Sequence, residues 1–118
     1  MASTSKGPIV YRIMIGQAAF DVTLQAVHNL SRRNKRHEVF SAVIAEAVDT
    51  FSSWPDKVLE DLTALEPLKG DIRMFIRVPP SLQKRFDHMR SQLIGALGPN
   101  NGTRETVVAC SLLIAPRN

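Results

Sequence analysis

Cysteine, tryptophan and tyrosine are scarce in this sequence of 118 residues, which contains one of each. The single cysteine, Cys110, excludes an internal disulfide framework and fits a reducing cytoplasm. No apolar run approaches the ~20 residues that a membrane-spanning helix requires, and no secretory signal pattern is recognisable. A chain of this length can build one core, so we expect one domain over residues 8–116 after a disordered tail at residues 1–7.

The sequence is also poor in patterns that support catalysis or metal binding. His28, His37 and His88 lack the spacing that would place two imidazoles on one metal ion. Nucleophile elbows, Walker loops and paired catalytic carboxylates are not found. Cys110 lies in an apolar helical pattern, which indicates a core position rather than a nucleophile. We therefore expect no enzymatic activity, no metal and no cofactor.

Positive charge is present but unevenly distributed. The net charge is +4, with a pI near 9.7, which is compatible with a polyanionic partner. Residues 1–51 carry six Lys/Arg and four Asp/Glu, residues 52–70 carry two and four, and residues 71–118 carry seven and three. Two basic segments joined by an acidic connector suggest an internal repeat.

Each basic segment begins with the alternation of side chains that is typical of a β-strand. The two predicted strands are residues 9–15 and residues 71–78. Their apolar faces consist of Ile9, Tyr11, Ile13 and Ile15 in the first strand and Ile72, Met74, Ile76 and Val78 in the second. Their opposite faces consist of Val10, Arg12 and Met14 and of Arg73, Phe75 and Arg77. An aromatic ring between two cations is unusual on a solvent-facing strand, so this second face requires a ligand or a covering element.

Two helical patterns follow the first strand. Apolar residues at spacings of three and four lie on one side of the first helix; they are Phe20, Leu24, Val27 and Leu30. Asparagine is favoured at the N-cap of helices, so Asn34 predicts the start of a second helix. The core positions of that helix are Phe40, Val43, Ile44, Ala47, Val48 and Phe51.

The second strand is followed by the same order. Pro80 or Ser81 starts a helix whose inward residues are Leu82, Phe86, Met89 and Leu93. Thr103, after a turn rich in Gly, Pro and Asn, is expected to cap a final helix carrying Val107, Cys110, Ser111 and Ile114. We expect the helices of the two halves to align only after small shifts, because the turns differ in length. Residues 54–62 of the connector predict a short amphipathic helix with Pro55 near its first turn.

One strand and two helices cannot bury a core alone, whereas two such units can pair their strands over four helices. This layout resembles the ribbon-helix-helix superfamily, which normally uses two chains. Here both units stand in tandem, at residues 8–51 and 71–116, joined by a linker at residues 52–70. The expected fold class is α+β, mostly α: a single-chain pseudo-dimer with an antiparallel ribbon, and a monomer in solution.

The second unit resembles the tandem ribbon-helix-helix proteins of the virC operon on tumour-inducing plasmids. Arg73-Met74-Phe75, the helix at residues 81–93 and residues 103–113 with Ala109-Cys110 carry this resemblance. It implies a DNA-binding accessory protein for T-DNA processing and conjugative transfer, with double-stranded DNA and other transfer-complex proteins as partners. The alternatives are a transcription or partition regulator, and a protein-interaction module that uses the ribbon or the Trp54 linker.

The candidate base-reading residues are Arg12, Arg73, Phe75 and Arg77. A two-stranded ribbon fits the major groove, where arginine can donate two hydrogen bonds to guanine and an apolar side chain can contact the thymine methyl group. The alternative is that a partner chain or a long loop covers this face and packs against Phe75.

The candidate phosphate-binding residues lie at the starts of the second helix of each unit, where free N–H groups and the helix dipole favour anions. They are Arg33, Lys35 and Arg36, in a run that begins at Arg32, and Gly102, Thr103 and Arg104, which follow Asn101. The alternative for each is a solvated turn. Lys84, Arg85 and Arg90 are expected on the solvated face of their helix.

Overall fold

A computed structural model describes residues 7–114 of the chain. This part is α+β and mostly helical, with the element order β1 (Ile9–Ile15), α1 (Gln17–Asn34), α2 (Phe40–Thr50), α3 (Asp56–Ala64), β2 (Ile72–Val78), α4 (Gln83–Leu97) and α5 (Thr103–Ile114). A 3₁₀ turn, Pro80–Leu82, leads from β2 into α4. The tail expected at residues 1–7 lies outside the described residues except for Gly7, as do residues 115–116 of the expected domain. None of the described helices has the length and apolar character to cross a membrane.

The two strands pair with each other in antiparallel orientation, which confirms both predicted strands and their intramolecular pairing. Ile9 pairs with Val78, and Arg12 at the centre pairs with Phe75. Because side chains alternate across a strand, one face of this ribbon meets the helices and the other meets solvent. β2 begins one residue later than predicted, at Ile72.

Burial along the inner face of the ribbon is graded rather than uniform. Ile13, Ile15, Ile76 and Val78 are buried. The expectation that Met74 is also buried was wrong, since it is only half-buried. It lies against the edge of α1, where the Thr23 hydroxyl is 4.0 Å from its sulfur atom.

The buried face of α1 agrees with the prediction at Leu30 and differs from it elsewhere. The residues that it buries are Ala19, Val22, Thr23, Ala26 and Leu30. Leu24, which was expected in the core, is 53% exposed, while Phe20 and Val27 are half-buried. Small side chains let α1 approach the core closely, and the buried Thr23 hydroxyl donates to the Phe20 carbonyl at 2.6 Å, so its burial leaves no donor unpaired.

Asn34 is the last residue of α1 and not the N-cap of α2, so that prediction was wrong. Lys35 adopts the left-handed conformation at φ 57, which ends α1, and the Arg36 N–H donates to the Ser31 carbonyl at 3.1 Å. The Asn34 amide donates to Glu38 at 2.7 Å. α2 begins only at Phe40, after Val39 as N-cap.

Four of the six predicted core positions of α2 are buried, namely Val43, Ile44, Ala47 and Val48. Phe40 is half-buried, and Phe51, also half-buried, is the C-cap after the helix. The connector helix is confirmed as α3, which starts at Asp56 directly after Pro55. Trp54, in the same connector just before α3, is buried, and its indole N–H donates to the Met89 carbonyl at 2.9 Å. The Trp54 ring therefore belongs to the core and is not a surface for docking a partner.

The second half forms the predicted helices and places α5 in the centre of the molecule. Phe86, Met89 and Leu93 of α4 are buried, while Leu82 is half-buried. In α5 every residue from Thr106 to Leu112 is buried, as is Ile114, including the four that were predicted. α5 packs against α1, α2, α3, α4 and β1.

Thr103 was predicted to cap α5, and this was wrong: it is the first residue of the helix. The carbonyl of Gly102 accepts the Thr106 N–H at 3.0 Å, so Gly102 occupies the N-cap position. The Thr103 hydroxyl instead accepts a hydrogen bond from Arg90 at 3.0 Å.

The elements of the second half follow those of the first at a constant spacing. β2 begins 63 positions after β1 (72 − 9) and α5 begins 63 positions after α2 (103 − 40). The same spacing leads from Gln17 of α1 to Pro80 of the 3₁₀ turn (80 − 17). It also matches buried residues with buried residues, as in Thr23/Phe86, Ala26/Met89, Leu30/Leu93 and Ala47/Cys110. The expected shifts between the helices were wrong, because the turn before α2 (residues 35–39) and the turn before α5 (residues 98–102) have the same length of five residues.

Candidate nucleic-acid interface

The outer face of the ribbon consists of three cross-strand pairs. They are Val10/Arg77, Arg12/Phe75 and Met14/Arg73. Phe75 is 63% exposed and Val10 is 52% exposed. The three arginines are exposed and Met14 is half-buried. The structure therefore brings together all four residues that were predicted to read bases, and adds Val10 and Met14 to them.

This outer face is open within the described part of the chain. No loop between residues 7 and 114 covers Phe75, so the alternative of a covering loop from these residues is excluded. Among the same residues, Arg12, Arg73 and Arg77 form no salt bridge. Their guanidinium groups can offer paired N–H donors to a planar acceptor.

The first predicted phosphate cluster, Arg33, Lys35 and Arg36, lies where α1 ends, so its expected place at the start of α2 was wrong: that helix begins only at Phe40. The helix dipole is negative at a C-terminus, which is favourable for cations there. Arg33 forms a salt bridge with Glu46 at 3.2 Å, and Arg36 forms one with Glu38 at 2.9 Å. Lys35 is exposed and has no salt bridge within the described residues. Only part of the charge of this cluster is free for a phosphate.

Glu38 holds the turn between α1 and α2. Its carboxylate accepts hydrogen bonds from Asn34 and from Arg36, and both lower its pKa below the ordinary value of 4.5, with the Asn34 bond the larger cause. The Glu38 N–H donates to the Ser31 hydroxyl at 3.0 Å. The turn before α2 is thus fixed by a negative charge beside its cations.

The second predicted phosphate cluster, Gly102, Thr103 and Arg104, lies at the start of α5. The Gly102 N–H donates to Glu105 at 2.8 Å, and Arg104 pairs with the same carboxylate at 3.2 Å. The Glu105 carboxylate thereby accepts the hydrogen bond of one N–H group that would otherwise be free at the helix start, as in a capping box. A phosphate at this position would have to share these groups with Glu105.

Two features beside this helix start were missed in the sequence. The first is Lys69, which lies with Arg104 in an open groove together with Asn100 and Asn101. Its only signal in the sequence is a positive charge two residues before a strand. Glu66 and Glu105 line the same groove, so the charges of Lys69 and Arg104 lie beside two carboxylates.

The second missed feature is a chain of side-chain hydrogen bonds that leads from the ribbon to α5. The Gln83 amide donates to the Tyr11 hydroxyl at 2.6 Å and to Asp87 at 2.9 Å. Arg90 then contacts Asp87 at 2.7 Å and Thr103 at 3.0 Å. Arg90 is therefore a structural link rather than part of a solvated face. Lys84 and Arg85, on the same helix, are exposed as expected.

The described part of the chain contains neither a metal-binding cluster nor an accessible thiol. Residues 7–114 contain no group of three His, Cys, Asp or Glu side chains that could hold a metal ion. Cys110 is fully buried in α5, and burial raises the pKa of its thiol. A buried thiol with a raised pKa forms little thiolate, so Cys110 has the properties of a core residue.

Comparison with known proteins gives no match: no family model, no curated protein and no solved structure matches this chain. The resemblance to ribbon-helix-helix proteins therefore remains a prediction, and the function has to be argued from the geometry of the ribbon and its surroundings.

Proposed function

We propose that the chain is a single-chain ribbon-helix-helix pseudo-dimer that binds double-stranded DNA with its ribbon in the major groove. The observation that carries this proposal is the outer face of the ribbon, where three exposed arginines without a salt bridge in the described chain surround an exposed Phe75. Protein surfaces rarely leave a large aromatic ring so exposed between cations unless it meets a partner.

The register of the ribbon supports the pseudo-dimer. Arg12 pairs with Phe75, and these residues are separated by the same 63 positions (75 − 12) as the repeated elements. In a two-fold symmetric ribbon the central residue must pair with its own equivalent, and this pairing meets that condition. The positive-φ residues that end α1 and α4, Lys35 at φ 57 and Gly98 at φ 107, are also 63 positions apart (98 − 35).

The dimensions of the ribbon suit this role. The major groove of B-DNA admits a two-stranded ribbon, and its base edges carry a pattern of donors and acceptors that distinguishes the four base pairs. Arg73 and Arg77 would donate to guanine O6 and N7, while Phe75 would contact a thymine methyl group. Arg12 would reach the bases or a phosphate near the centre.

Phosphate contacts would come from the turn before α2, from the start of α5 and from Lys69 in the segment before β2. Lys35 and Lys69 are exposed and form no salt bridge within the described residues. Arg33, Arg36 and Arg104 share their charge with carboxylates, so their contribution to phosphate binding is smaller. Within this proposal, the cell would use the protein as an accessory factor in T-DNA processing and conjugative transfer, with transcription or partition control as the alternative.

A protein-docking ribbon is the second candidate, and one observation favours it. Phe75 and Val10 expose apolar surface beside the arginines, and mixed aromatic and arginine surfaces are common in protein interfaces. The two candidates differ in their dependence on salt and on DNA sequence.

Titration with duplex DNA at several salt concentrations distinguishes them. If the protein binds DNA, a plot of log Kd against the logarithm of the salt concentration should rise with a slope of about 0.9 for each phosphate that the protein neutralises. Arg73→Ala and Arg77→Ala should each lower affinity for the preferred duplex by ~1–3 kcal/mol and lower it less for random duplex.

Arg85→Ala is the matched control, because Arg85 is an exposed arginine of α4 outside the ribbon and the substitution removes the same charge. It should leave the preference between sequences unchanged. Binding to duplex no tighter than ~10⁻⁴ M at physiological salt, which is the weak limit of non-specific binding, would refute the DNA proposal and leave the protein-docking ribbon.

A further inference from the structure

The two strands of the ribbon have equivalent backbones and different outer side chains. The spacing of 63 positions makes Val10 equivalent to Arg73, Arg12 to Phe75 and Met14 to Arg77. Each equivalent position combines an arginine with an apolar residue. The inner faces, in contrast, are apolar in both strands. The symmetry that the core retains is therefore absent from the face that would meet DNA.

We infer that the preferred DNA site is not palindromic and that the protein binds it in one orientation. This inference rests on the proposed function. β2 would contact guanines through Arg73 and Arg77, and β1 would contact thymine methyl groups through Val10 and Met14.

The cross-strand register fixes how these contacts are arranged. At one end of the ribbon Arg77 lies beside Val10, and at the other end Arg73 lies beside Met14. Rotation by the pseudo-two-fold axis would exchange the arginine and the apolar residue at both ends. A palindrome presents the same base pattern to both strands, so it can match the preference of only one of them.

Strand geometry sets the expected spacing of the contacted bases. Arg77 lies four positions after Arg73 in the strand, which corresponds to ~13 Å at ~3.3 Å per residue. Base pairs are stacked ~3.4 Å apart, so the two arginines span about four base pairs. Between them Arg12 and Phe75 face the central step, where one strand offers a cation and the other an aromatic ring.

Selection of the best-bound duplexes from a random library gives the first test. The expected consensus is non-palindromic and contains two G·C pairs about four base pairs apart. Replacing either G·C pair should weaken binding by about 5- to 150-fold, the loss expected for one bidentate arginine contact. A palindromic consensus would overturn the inference.

Orientation is tested by directed cleavage. Ser81 is exposed and lies just after the Val78 end of the ribbon. Ser81→Cys can carry an iron–EDTA reagent, because the native Cys110 is fully buried and protected from labelling. The labelled protein should cut the selected duplex on one side of the site only. Equal cutting on both sides would overturn the inference.

A variant with the two outer faces exchanged provides the decisive comparison. It keeps the composition and net charge of the chain and combines Val10→Arg, Arg12→Phe, Met14→Arg, Arg73→Val, Phe75→Arg and Arg77→Met. With the same label it should bind the same consensus and cut on the opposite side. Unchanged cutting would overturn the inference. Should the exchange variant not fold, the consensus and the cleavage by the singly labelled protein decide the question without it.

The outcomes separate this inference from the proposed function. Tight duplex binding with no selected sequence, or with a palindromic one, refutes the asymmetric site and leaves DNA binding in place. Failure of the wild-type protein to bind any duplex refutes the proposed function itself.

Discussion

Truncation of Ile76 should reveal how much the inner face of the ribbon contributes to stability. Ile76 is 1% exposed and pairs with Tyr11 in the register of the ribbon. Ile76→Ala removes about three methylene equivalents at ~0.8 kcal/mol each, or ~2.4 kcal/mol of lost burial. A cavity of up to ~80 Å³ adds as much as ~2 kcal/mol at ~24 cal/mol per Å³. The free energy of unfolding should therefore fall by ~2.5–4.5 kcal/mol.

Ile9→Ala is the matched control, because it is the same substitution in the partner strand. Ile9 is 42% exposed. Multiplying the ~2.4 kcal/mol of lost burial by the covered fraction of Ile9 gives a destabilisation of ~1.4 kcal/mol, and no closed cavity adds to it. Urea unfolding followed by circular dichroism measures both values, and the slope with urea should be unchanged in each variant.

Two results would refute this reasoning. Equal losses in Ile9→Ala and Ile76→Ala would contradict the graded burial of the inner face. Arg77→Ala, on the outer face, should change the free energy of unfolding by less than ~0.5 kcal/mol. If Arg77→Ala unfolds the protein while Ile76→Ala does not, the ribbon faces are assigned the wrong way round, as a one-residue slip in register would cause.

Three further predictions concern positions away from the ribbon centre. Gly70→Ala should destabilise the fold by ~1–3 kcal/mol, because the added Cβ would lie 2.4 Å from the Gly16 Cα atom. Gly95→Ala is the control, because Gly95 lies on α4 with no atom near an added Cβ, and it should stabilise the fold by ~0.5–1 kcal/mol. Thermal melting of the two variants compares these effects. Cys110 should react with a thiol reagent only after unfolding, and rapid reaction of the native protein would contradict its burial. The folded-state pKa of Glu38 is lowered, so its contacts stabilise the fold above the unfolded pKa and are lost as the pH falls through the folded pKa. Melting of Glu38→Gln should therefore fall below wild type at pH 7, and the difference should shrink as the pH drops below ~4.5; a difference independent of pH would contradict this.

The ribbon was predictable from the sequence, because strict alternation over residues 9–15 and 72–78 leaves one assignment of faces. The face of α1 was not. Ala19, Thr23 and Ala26 carry small side chains that contribute little to an apolar pattern, yet they make up most of the face that α1 buries, together with Val22 and Leu30. Large residues such as Leu24 therefore indicated a helix correctly and its orientation wrongly.

The turns and side-chain links were harder still to predict. Lys35 takes a left-handed conformation that usually favours glycine, so no glycine marked the end of α1 there. The Gln83–Tyr11 hydrogen bond joins residues 72 positions apart, and no local pattern contains it. The base-reading candidates were found because they share a strand face, whereas Lys69 was missed because its neighbours come from a distant turn.

The central position of α5 has a consequence for synthesis of the protein. A ribosome releases β1 through α4 before Thr103–Ile114, yet β1 and all four of the earlier helices pack against α5. At ~5–20 residues per second, the nascent chain spends several seconds with apolar faces that have no partner. Folding must therefore wait until α5 has emerged, and a chain interrupted before Thr103 should be captured by chaperones or aggregate instead of folding into a stable half.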